Sequence, residues 1–495
     1  MTRLRLALFG LALFLGLPAL AGDRVALVIG MAAYQHVEPL DNTVNDARLI
    51  ADTLTGIGFD VTLVTDSGYQ DLRAAMDSFA FQSETADLAL IYFAGHGIEV
   101  QGENYLIPAD ANVQSNRDVQ RQSVSLDDLL ATVDRARVMR IVILDSCRNN
   151  PFGDALDLTA EPLQPQGDEA TRGTGGLAAP SPDRGTLVAF AAKDGQVALD
   201  GTGGNSPFAL ALVDKMKVPG LEISLMFRQV RDAVLDTTAN QQEPHTYGSL
   251  SGVPFYLAGE PDGSDPLAGD LRQAWAAIRP DQEMQLAALA DQGDTRSMLG
   301  LAYMRLNPEA DGFDPKAAVE LLKRAADAGS PEAQFELAKL YEQGIGVDPD
   351  PALALSLYQR AADQDFADAI NDLGFLYYQG GLGLAPDQAA ALKLFERAAD
   401  LRHPQALFNV AALIDDGLID GKGADAAAGY LYDALRSGAR DVLDLLTERP
   451  NMFSVGTRKA LQKRLSDAGF YGGALDGSFG PGTIKAVRLA FGLNA

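Results

Sequence analysis

Six short runs of nearly continuous apolar residues mark the first half of the chain and restrict its fold more than any other feature. Segments with apolar residues at helical spacing, such as 44–55 and 126–135, separate these runs. Strands that are apolar on both faces and alternate with helices form mostly parallel sheets covered by helices. The pattern therefore predicts an α/β domain over residues 22–260. The six predicted strands are 25–29, 61–64, 88–93, 141–144, 186–190 and 253–257.

A segment of different composition, residues 151–184, interrupts this domain. It is rich in Gly, Pro, Asp and Gln and has no apolar periodicity, which predicts a long mobile loop between two strands. Its only basic residues are Arg172 and Arg184, and each precedes a glycine. Proteolytic cleavage concentrates in exposed loops, so both arginines are candidate cleavage sites.

A repeated motif follows a predicted linker at 261–284. Asp291, Asp327, Asp363 and Asp400 recur at intervals of 36, 36 and 37 residues, each beside alanine. A period of this length predicts stacked helical hairpins, here over residues 285–447, because one hairpin cannot bury its apolar face alone. The segment resembles Sel-type tetratricopeptide-like repeats. That resemblance implies an all-α solenoid that binds protein partners.

The last 45 residues, 451–495, form a third predicted unit with two amphipathic helices around a glycine-rich loop. This tail resembles the small helical peptidoglycan-binding-like domain of cell-wall enzymes, which implies peptidoglycan as a partner. The resemblance rests on Leu461-Gln462, on the Asp-Gly-x-Phe-Gly loop at 476–480, and on Thr483, Ala486 and Val487.

The first 21 residues have the pattern of a secretory signal peptide. Arg3 and Arg5 precede an apolar run that is too short to cross a bilayer, and Ala19-Leu20-Ala21 offers a cleavage site. We therefore expect a periplasmic or secreted protein without a membrane span after signal removal. The net charge of −27, from 67 acidic and 40 basic residues, argues against nucleic acid as a partner.

Cys147 is the only cysteine, so no intramolecular disulfide is possible. It follows one predicted strand, and His96, between Gly95 and Gly97, follows another. Sites in parallel sheets form at the carboxyl ends of strands, which favours a Cys–His pair for nucleophilic chemistry. Alternatively, Cys147 is a small buried side chain and His96 a solvated loop residue.

Other chemistries fit the sequence less well. The four histidines and the single cysteine do not have the spacing of a zinc site. No strand is followed by the Gly-x-Ser-x-Gly motif of a serine hydrolase. We therefore expect neither a metal nor another cofactor.

The segments 92–97, Tyr-Phe-Ala-Gly-His-Gly, and 143–147, Ile-Leu-Asp-Ser-Cys, resemble the two catalytic segments of the caspase and metacaspase superfamily. The resemblance covers about residues 24–257. It implies that His96 is the general base and acid, that Cys147 is the nucleophile, and that the N–H groups of Gly97 and Cys147 form the oxyanion hole. One departure is the sequence Arg-Asn-Asn-Pro-Phe at 148–152, where metacaspases usually have His-Ser-Gly.

The same resemblance places two carboxylates, Asp46 and Asp145, in the primary specificity pocket, which favours a substrate Arg or Lys. The hypothesis is an exported cysteine endopeptidase that hydrolyses polypeptides through an acyl-enzyme. It predicts self-cleavage after Arg172 or Arg184. The alternative is a non-catalytic caspase-fold scaffold that binds proteins through its repeats at the cell envelope.

Overall fold

The computed structural model describes residues 24–147, 185–193, 196–201, 203–248, 250, 252–259, 275 and 278–493. The predicted signal peptide at 1–21 and the predicted loop at 151–184, with Arg172 and Arg184, lie outside the described residues. Both therefore stay predictions.

The N-terminal domain is built on a sheet of eight described strands. Its main path runs β2-β1-β3-β6-β7-β8, and all neighbours on this path are parallel except the antiparallel pair β7 and β8. β4 and β5 form an antiparallel extension beside the end of β3. The predicted mostly parallel sheet is confirmed. The strands are β1 Arg24–Gly30, β2 Asp60–Thr65, β3 Leu88–Val100, β4 Glu103–Leu106, β5 Val124–Ser125, β6 Met139–Cys147, β7 Thr186–Phe190 and β8 His245–Gly248.

One predicted strand is wrong. Residues 253–257 form only an isolated bridge, between Tyr256 and Glu222, and β8 takes the position at the edge of the sheet instead. Pro254 lacks the N–H that a ladder needs. Phe255 and Tyr256 are fully buried, so this apolar run packs as a buried segment and not as a strand.

Helices cover both faces of the sheet. α1, α5 and α6 pack against one face, and α2 and α4 pack against the other. The predicted helices at 44–55 and 126–135 correspond to α1 and α4. The helices are α1 Thr43–Gly56, α2 Tyr69–Ser83, α3 Asn116–Gln122, α4 Leu126–Val133, α5 Pro207–Met216 and α6 Ile223–Thr237.

Ten consecutive helices follow in the part of the chain that the structure describes, which confirms the predicted solenoid. The four aspartates that define the period are the last residues of α7, α9, α11 and α13. The alanine pairs beside three of them are buried, since small side chains let neighbouring helices approach closely. The helices are α7 Pro280–Asp291, α8 Thr295–Leu306, α9 Pro315–Asp327, α10 Pro331–Gln343, α11 Pro351–Asp363, α12 Ala367–Gln379, α13 Gln388–Asp400, α14 Pro404–Asp415, α15 Ala424–Arg436 and α16 Arg440–Glu448.

The helical C-terminal region consists of α17, Val455–Asp467, and α18, Pro481–Phe491. Gln462 is buried between them. Its Nε2 donates to the carbonyl oxygen of Ser478 over 2.9 Å and to Thr483 Oγ over 3.2 Å, and its Oε1 accepts from Gly477 N–H over 2.7 Å. This residue of the peptidoglycan-binding-like motif therefore holds the loop and the last helix together.

The solenoid contacts the α/β domain at both of its ends. At the first end, Arg296 on α8 lies 2.8 Å from the buried carboxylate of Glu222. At the other end, Arg436 on α15 is 3% exposed. Its Nε lies 3.0 Å from Glu84, and its Nη2 donates to the carbonyl oxygen of Phe81 over 2.9 Å. The repeats therefore connect two separate points on the α/β domain, and we name this arrangement the brace.

In the residues described, no helix combines the length and the apolar character that a bilayer crossing requires.

Candidate active site

The central strands β3 and β6 bring the backbones of His96 and Cys147 together. The two strands are parallel neighbours, and His96 pairs with Cys147 in their register. Paired strands lie about 4.8 Å apart. β3 continues to Val100, so His96 lies within a strand and not beyond its end as the sequence had suggested. Cys147 is the last residue of β6, and its side chain lies outside the described part of the chain.

The imidazole of His96 is buried, with 8% of the residue exposed. Its Nε2 lies 3.0 Å from the backbone carbonyl oxygen of Glu38. Because a carbonyl oxygen can only accept, Nε2 carries the proton in the neutral ring and Nδ1 has the lone pair. Burial lowers the pKa of His96, and the carbonyl of Glu38 partly opposes this change. His96 is therefore suited to act as a neutral base through Nδ1.

Tyr34 positions the backbone of His96. The N–H of His96 donates to Tyr34 Oη over 2.8 Å, and the two rings lie 4.6 Å apart between centroids. A Cβ on Gly95 would lie 2.6 Å from the same Oη. Only glycine therefore fits at position 95 with Tyr34 in place. Gly97, the predicted oxyanion-hole donor, is buried and pairs with Leu106 of β4.

Asp145, on β6 two residues before Cys147, is 7% exposed and faces a small cavity. Its Oδ2 accepts from Tyr92 Oη and from Ser206 Oγ, each over 2.9 Å. Burial raises the pKa of Asp145 to about 7, and the nearby charge of Asp46 adds to this effect. The cavity therefore contains a carboxyl group that titrates near neutral pH.

Asp46, on α1, lines the same cavity and is 1% exposed. Its Oδ1 accepts from Asn205 Nδ2 over 2.8 Å and from the N–H of Ser206 over 3.0 Å. Burial raises the pKa of Asp46, although these hydrogen bonds oppose the change. Asp46 thus also anchors the segment that leads into α5.

Asp200 is the third carboxylate that lines the cavity, and the hydroxyl residue Ser206 lines it as well. Burial also raises the pKa of Asp200. The sequence analysis assigned neither residue to the pocket, because they lie in a glycine-rich stretch without periodicity and only tertiary contacts bring them to β6. We name this cavity the acidic pocket, with Asp46, Asp145 and Asp200 as its carboxylates. Its volume is about 20 Å³, which accommodates roughly one water molecule.

Within the described residues, no group of three or more His, Cys, Asp and Glu side chains is arranged to hold a metal ion.

Comparison with curated proteins finds relatives of two kinds. The human mucosa-associated lymphoid tissue lymphoma translocation protein 1 is 28% identical over 149 residues, which is 28% of this chain and 18% of that protein. The mouse homolog matches over the same shares. A chitin synthase regulator of Saccharomyces cerevisiae is 39% identical over 84 residues, which is 17% of this chain and 12% of the regulator. The chain therefore spans less than a fifth of the length of these relatives.

Two solved structures are similar to parts of the chain. A Sel1 repeat protein from Oxalobacter formigenes is 23% identical, with a TM-score of 0.31, and the match covers 38% of this chain and 84% of that one. The structure of pro-sf-caspase-1 is 16% identical, with a TM-score of 0.36, and the match covers 52% of this chain and 99% of that one.

Family models match the three predicted regions in turn. Residues 23–255 match the model described as "Caspase domain". Residues 295–330, 331–366 and 367–403 match "Sel1 repeat", and residues 455–490 match "Putative peptidoglycan binding domain". The chain thus combines a caspase-like domain, a run of Sel1 repeats and a helical domain of the peptidoglycan-binding type.

Proposed function

We propose that this chain is a cysteine endopeptidase that cleaves polypeptides after arginine or lysine. The observation that carries the proposal is the register of β3 and β6, which pairs the only cysteine with His96 beside the acidic pocket. The caspase-like domain supports a protease of the caspase type. The remaining steps follow from the chemistry of the residues.

His96 Nδ1 accepts the proton of the Cys147 thiol, and the thiolate attacks the carbonyl carbon of the scissile bond. The N–H groups of Gly97 and Cys147 stabilise the resulting oxyanion. The imidazolium then gives its proton to the leaving amine as the C–N bond breaks and a thioester remains. Water attacks the thioester with His96 as the base, which releases the acid and restores the thiol.

The acidic pocket supports the choice of a basic side chain before the cleaved bond. The described hydrogen bonds to the buried carboxylates of Asp46 and Asp145 come from neutral donors and not from a cation. A guanidinium or ammonium group would supply the missing charge and lower the raised pKa values. Because the cavity is only water-sized, we expect the lining segment around Asp200 to move outward when substrate binds.

Two matched comparisons test this function. A fluorogenic peptide ending in arginine is incubated under reducing conditions with the wild type and with Cys147→Ala. Turnover is expected only in the wild type, and equal turnover in both would refute the peptidase, as would an inactive wild type. The same peptide ending in citrulline, the neutral analogue of arginine, is expected to react far more slowly. Equal rates for both peptides would refute the role of the pocket but would leave the peptidase activity standing.

The Sel1 repeats favour protein interaction, and the C-terminal domain favours peptidoglycan as a second partner. Because Gln462 holds that domain together, Gln462→Ala is expected to unfold it and to abolish sedimentation with purified peptidoglycan. Equal sedimentation of the variant and the wild type would contradict this. Digestion by trypsin serves as the folding control, since an unfolded C-terminal domain in the variant is cleaved faster than the folded domain of the wild type.

Two proposals concern segments outside the described residues. Export to the periplasm or medium predicts a mature protein that begins at Gly22, which N-terminal sequencing of the expressed protein tests. Self-cleavage after Arg172 or Arg184 predicts two fragments in the wild type and one intact chain in Cys147→Ala, which intact mass spectrometry distinguishes.

A further inference from the structure

Two hydroxyl groups, those of Tyr92 and Ser206, hold the carboxyl group of Asp145 in the acidic pocket. Tyr92, on β3, is fully buried, and Ser206, immediately before α5, is 3% exposed. Each donates a hydrogen bond to Asp145 over 2.9 Å. Both hydrogen bonds end on Oδ2, and Oδ1 accepts none from the residues that the structure describes. The fold therefore holds one carboxylate oxygen and leaves the other for a ligand.

The hydroxyl of Ser206 also connects Asp145 to the N-terminus of α5. Ser206 is the N-cap of this helix, and its Oγ accepts from the N–H of Ala209 over 3.0 Å. A hydroxyl has one proton and two lone pairs. Because the N–H of Ala209 occupies a lone pair, the proton is free to point to Asp145 Oδ2. The N-terminus of a helix favours a nearby negative charge, so this connection suits an ionised carboxylate.

The two hydrogen bonds oppose the effect of burial on Asp145. Burial raises the pKa of this group to about 7, and the charges of Asp46 and Asp200 add to the effect. The hydrogen bonds of Ser206 and Tyr92 lower the pKa. Hydrogen bonds to an ionised carboxylate are stronger than those to the neutral acid. Without these donors the carboxyl group would therefore keep its proton to higher pH and would not attract a cation near neutral pH.

We propose that Ser206 and Tyr92 are positioning residues for substrate recognition, which hold Asp145 ionised by its Oδ2 and leave Oδ1 for the guanidinium group of a substrate arginine. Both residues act through Asp145 and not on the scissile bond. The inference rests on the proposed cleavage after basic residues. It also predicts a property of the folded protein without substrate, which makes a separate test possible.

The first test measures kcat/KM on the arginine peptide between about pH 6 and about pH 9. Ser206→Ala and Tyr92→Phe each remove one hydrogen bond to the carboxylate, so kcat/KM at pH 7 is expected to decrease about tenfold. The loss is expected to be largely recovered near pH 9, where Asp145 ionises even without the donor and arginine stays charged. On the citrulline peptide both variants are expected to stay within about twofold of the wild type.

Two matched variants remove the same atoms elsewhere. Ser330 is also an N-cap followed by proline, and its Oγ accepts from Ala333 N–H over 3.2 Å. Tyr378 Oη is buried and forms no hydrogen bond with the described residues. Ser330→Ala and Tyr378→Phe are therefore expected to keep the pH profile of the wild type. Ser206→Thr retains a hydroxyl and an N-cap, and is expected to stay within about threefold of the wild-type kcat/KM.

The second test is calorimetry without substrate. In Ser206→Ala and Tyr92→Phe the pKa of Asp145 in the folded state is expected to rise further, so the stability of the variants continues to decrease with pH above about 7. Their melting temperatures are expected to lie further below the wild type near pH 9 than near pH 5, by roughly 3 °C. Ser330→Ala is expected to show an equal loss at both pH values, because its cap contacts no buried carboxylate.

Three results are decisive. A loss of kcat/KM that is equal near pH 7 and near pH 9, or equal on both peptides, would overturn the inference and leave the proposed peptidase standing. A difference in melting temperature that does not depend on pH would also overturn it. A wild type that does not cleave the arginine peptide would refute the proposed function and with it substrate recognition, and calorimetry would still decide whether the two hydroxyl groups keep Asp145 ionised.

Discussion

Asp145→Asn is expected to stabilise the folded protein at neutral and alkaline pH while it impairs the proposed peptidase. Burial and the nearby Asp46 raise the pKa of Asp145 from 3.8 to about 7. One pKa unit corresponds to about 1.36 kcal/mol, so keeping this carboxylate ionised costs the folded state about 4 kcal/mol. Asparagine keeps an oxygen that can accept from Tyr92 and Ser206, and it removes the buried charge.

The stabilisation expected from Asp145→Asn depends on pH. Between pH 3.8 and about 7 the folded state retains a proton that the unfolded state has released. The free energy of unfolding that depends on Asp145 is therefore highest at low pH, decreases as pH rises through this window, and is constant above it. The gain from Asp145→Asn is expected to grow from about 1–2 kcal/mol near pH 5 to at most about 4 kcal/mol near pH 8.

Differential scanning calorimetry at both pH values measures this gain. Asp127→Asn, a change of an exposed carboxylate on α4, is the matched control and is expected to show no such dependence. An equal shift of the melting temperature of Asp145→Asn at both pH values would refute the raised pKa. A loss of stability near pH 8 would show that the hydrogen bonds of the carboxylate outweigh its burial.

The same carboxyl group affects catalysis in the opposite direction. Since kcat/KM reports groups of the free enzyme, the wild type is expected to lose about tenfold in kcat/KM per pH unit below about 7 on arginine peptides. Asp145→Asn is expected to have a low kcat/KM without this decrease. The rate at which iodoacetamide alkylates Cys147 reports on the Cys–His pair without the pocket. If this rate also decreases below about pH 7, the pH dependence belongs to the Cys–His pair and not to Asp145.

Gly95→Ala is expected to lower kcat/KM by about tenfold or more, because its methyl group would lie 2.6 Å from Tyr34 Oη. Gly56→Ala is the control, since a Cβ there meets nothing within 4 Å, and equal rates for the two variants would contradict the role of Tyr34. Arg436→Met is expected to destabilise the chain by about 1–3 kcal/mol, because it removes a buried guanidinium that donates to the carbonyl oxygens of Phe81 and Ala490 and leaves Glu84 with Arg135 as its cation. An unchanged melting temperature would show that the second end of the brace adds no stability.

Local patterns in the sequence were sufficient for much of the fold. The apolar runs at 88–93 and 141–144 predicted β3 and β6, because strands buried on both faces leave a continuous apolar signal. The edge strand β8 has no such signal, since its residues His-Thr-Tyr-Gly are mostly exposed. The run at 253–257 has that signal but is buried outside the sheet, so hydrophobicity alone assigned the wrong strand.

Some residues of the candidate site could likewise be predicted from the sequence, and others could not. His96 and Cys147 could be selected from the sequence because each follows a strong apolar run. Asp200 and Ser206 could not, since tertiary hydrogen bonds of Asn42, Asp46 and Asp145 to residues that are distant along the chain bring them to the acidic pocket. The raised pKa of Asp145 also depends on this assembly, because burial causes it.

The sequence by itself determined the order of the domains, the period of the repeats and the identity of the cysteine and histidine, because these features are written in residue type and local spacing. Only the tertiary structure decided the register that pairs His96 with Cys147, the three carboxylates of the acidic pocket, and the contact of Arg436 with Glu84 across 352 residues. Burial and charge partners depend on which distant segments meet, and this information is absent from any local pattern.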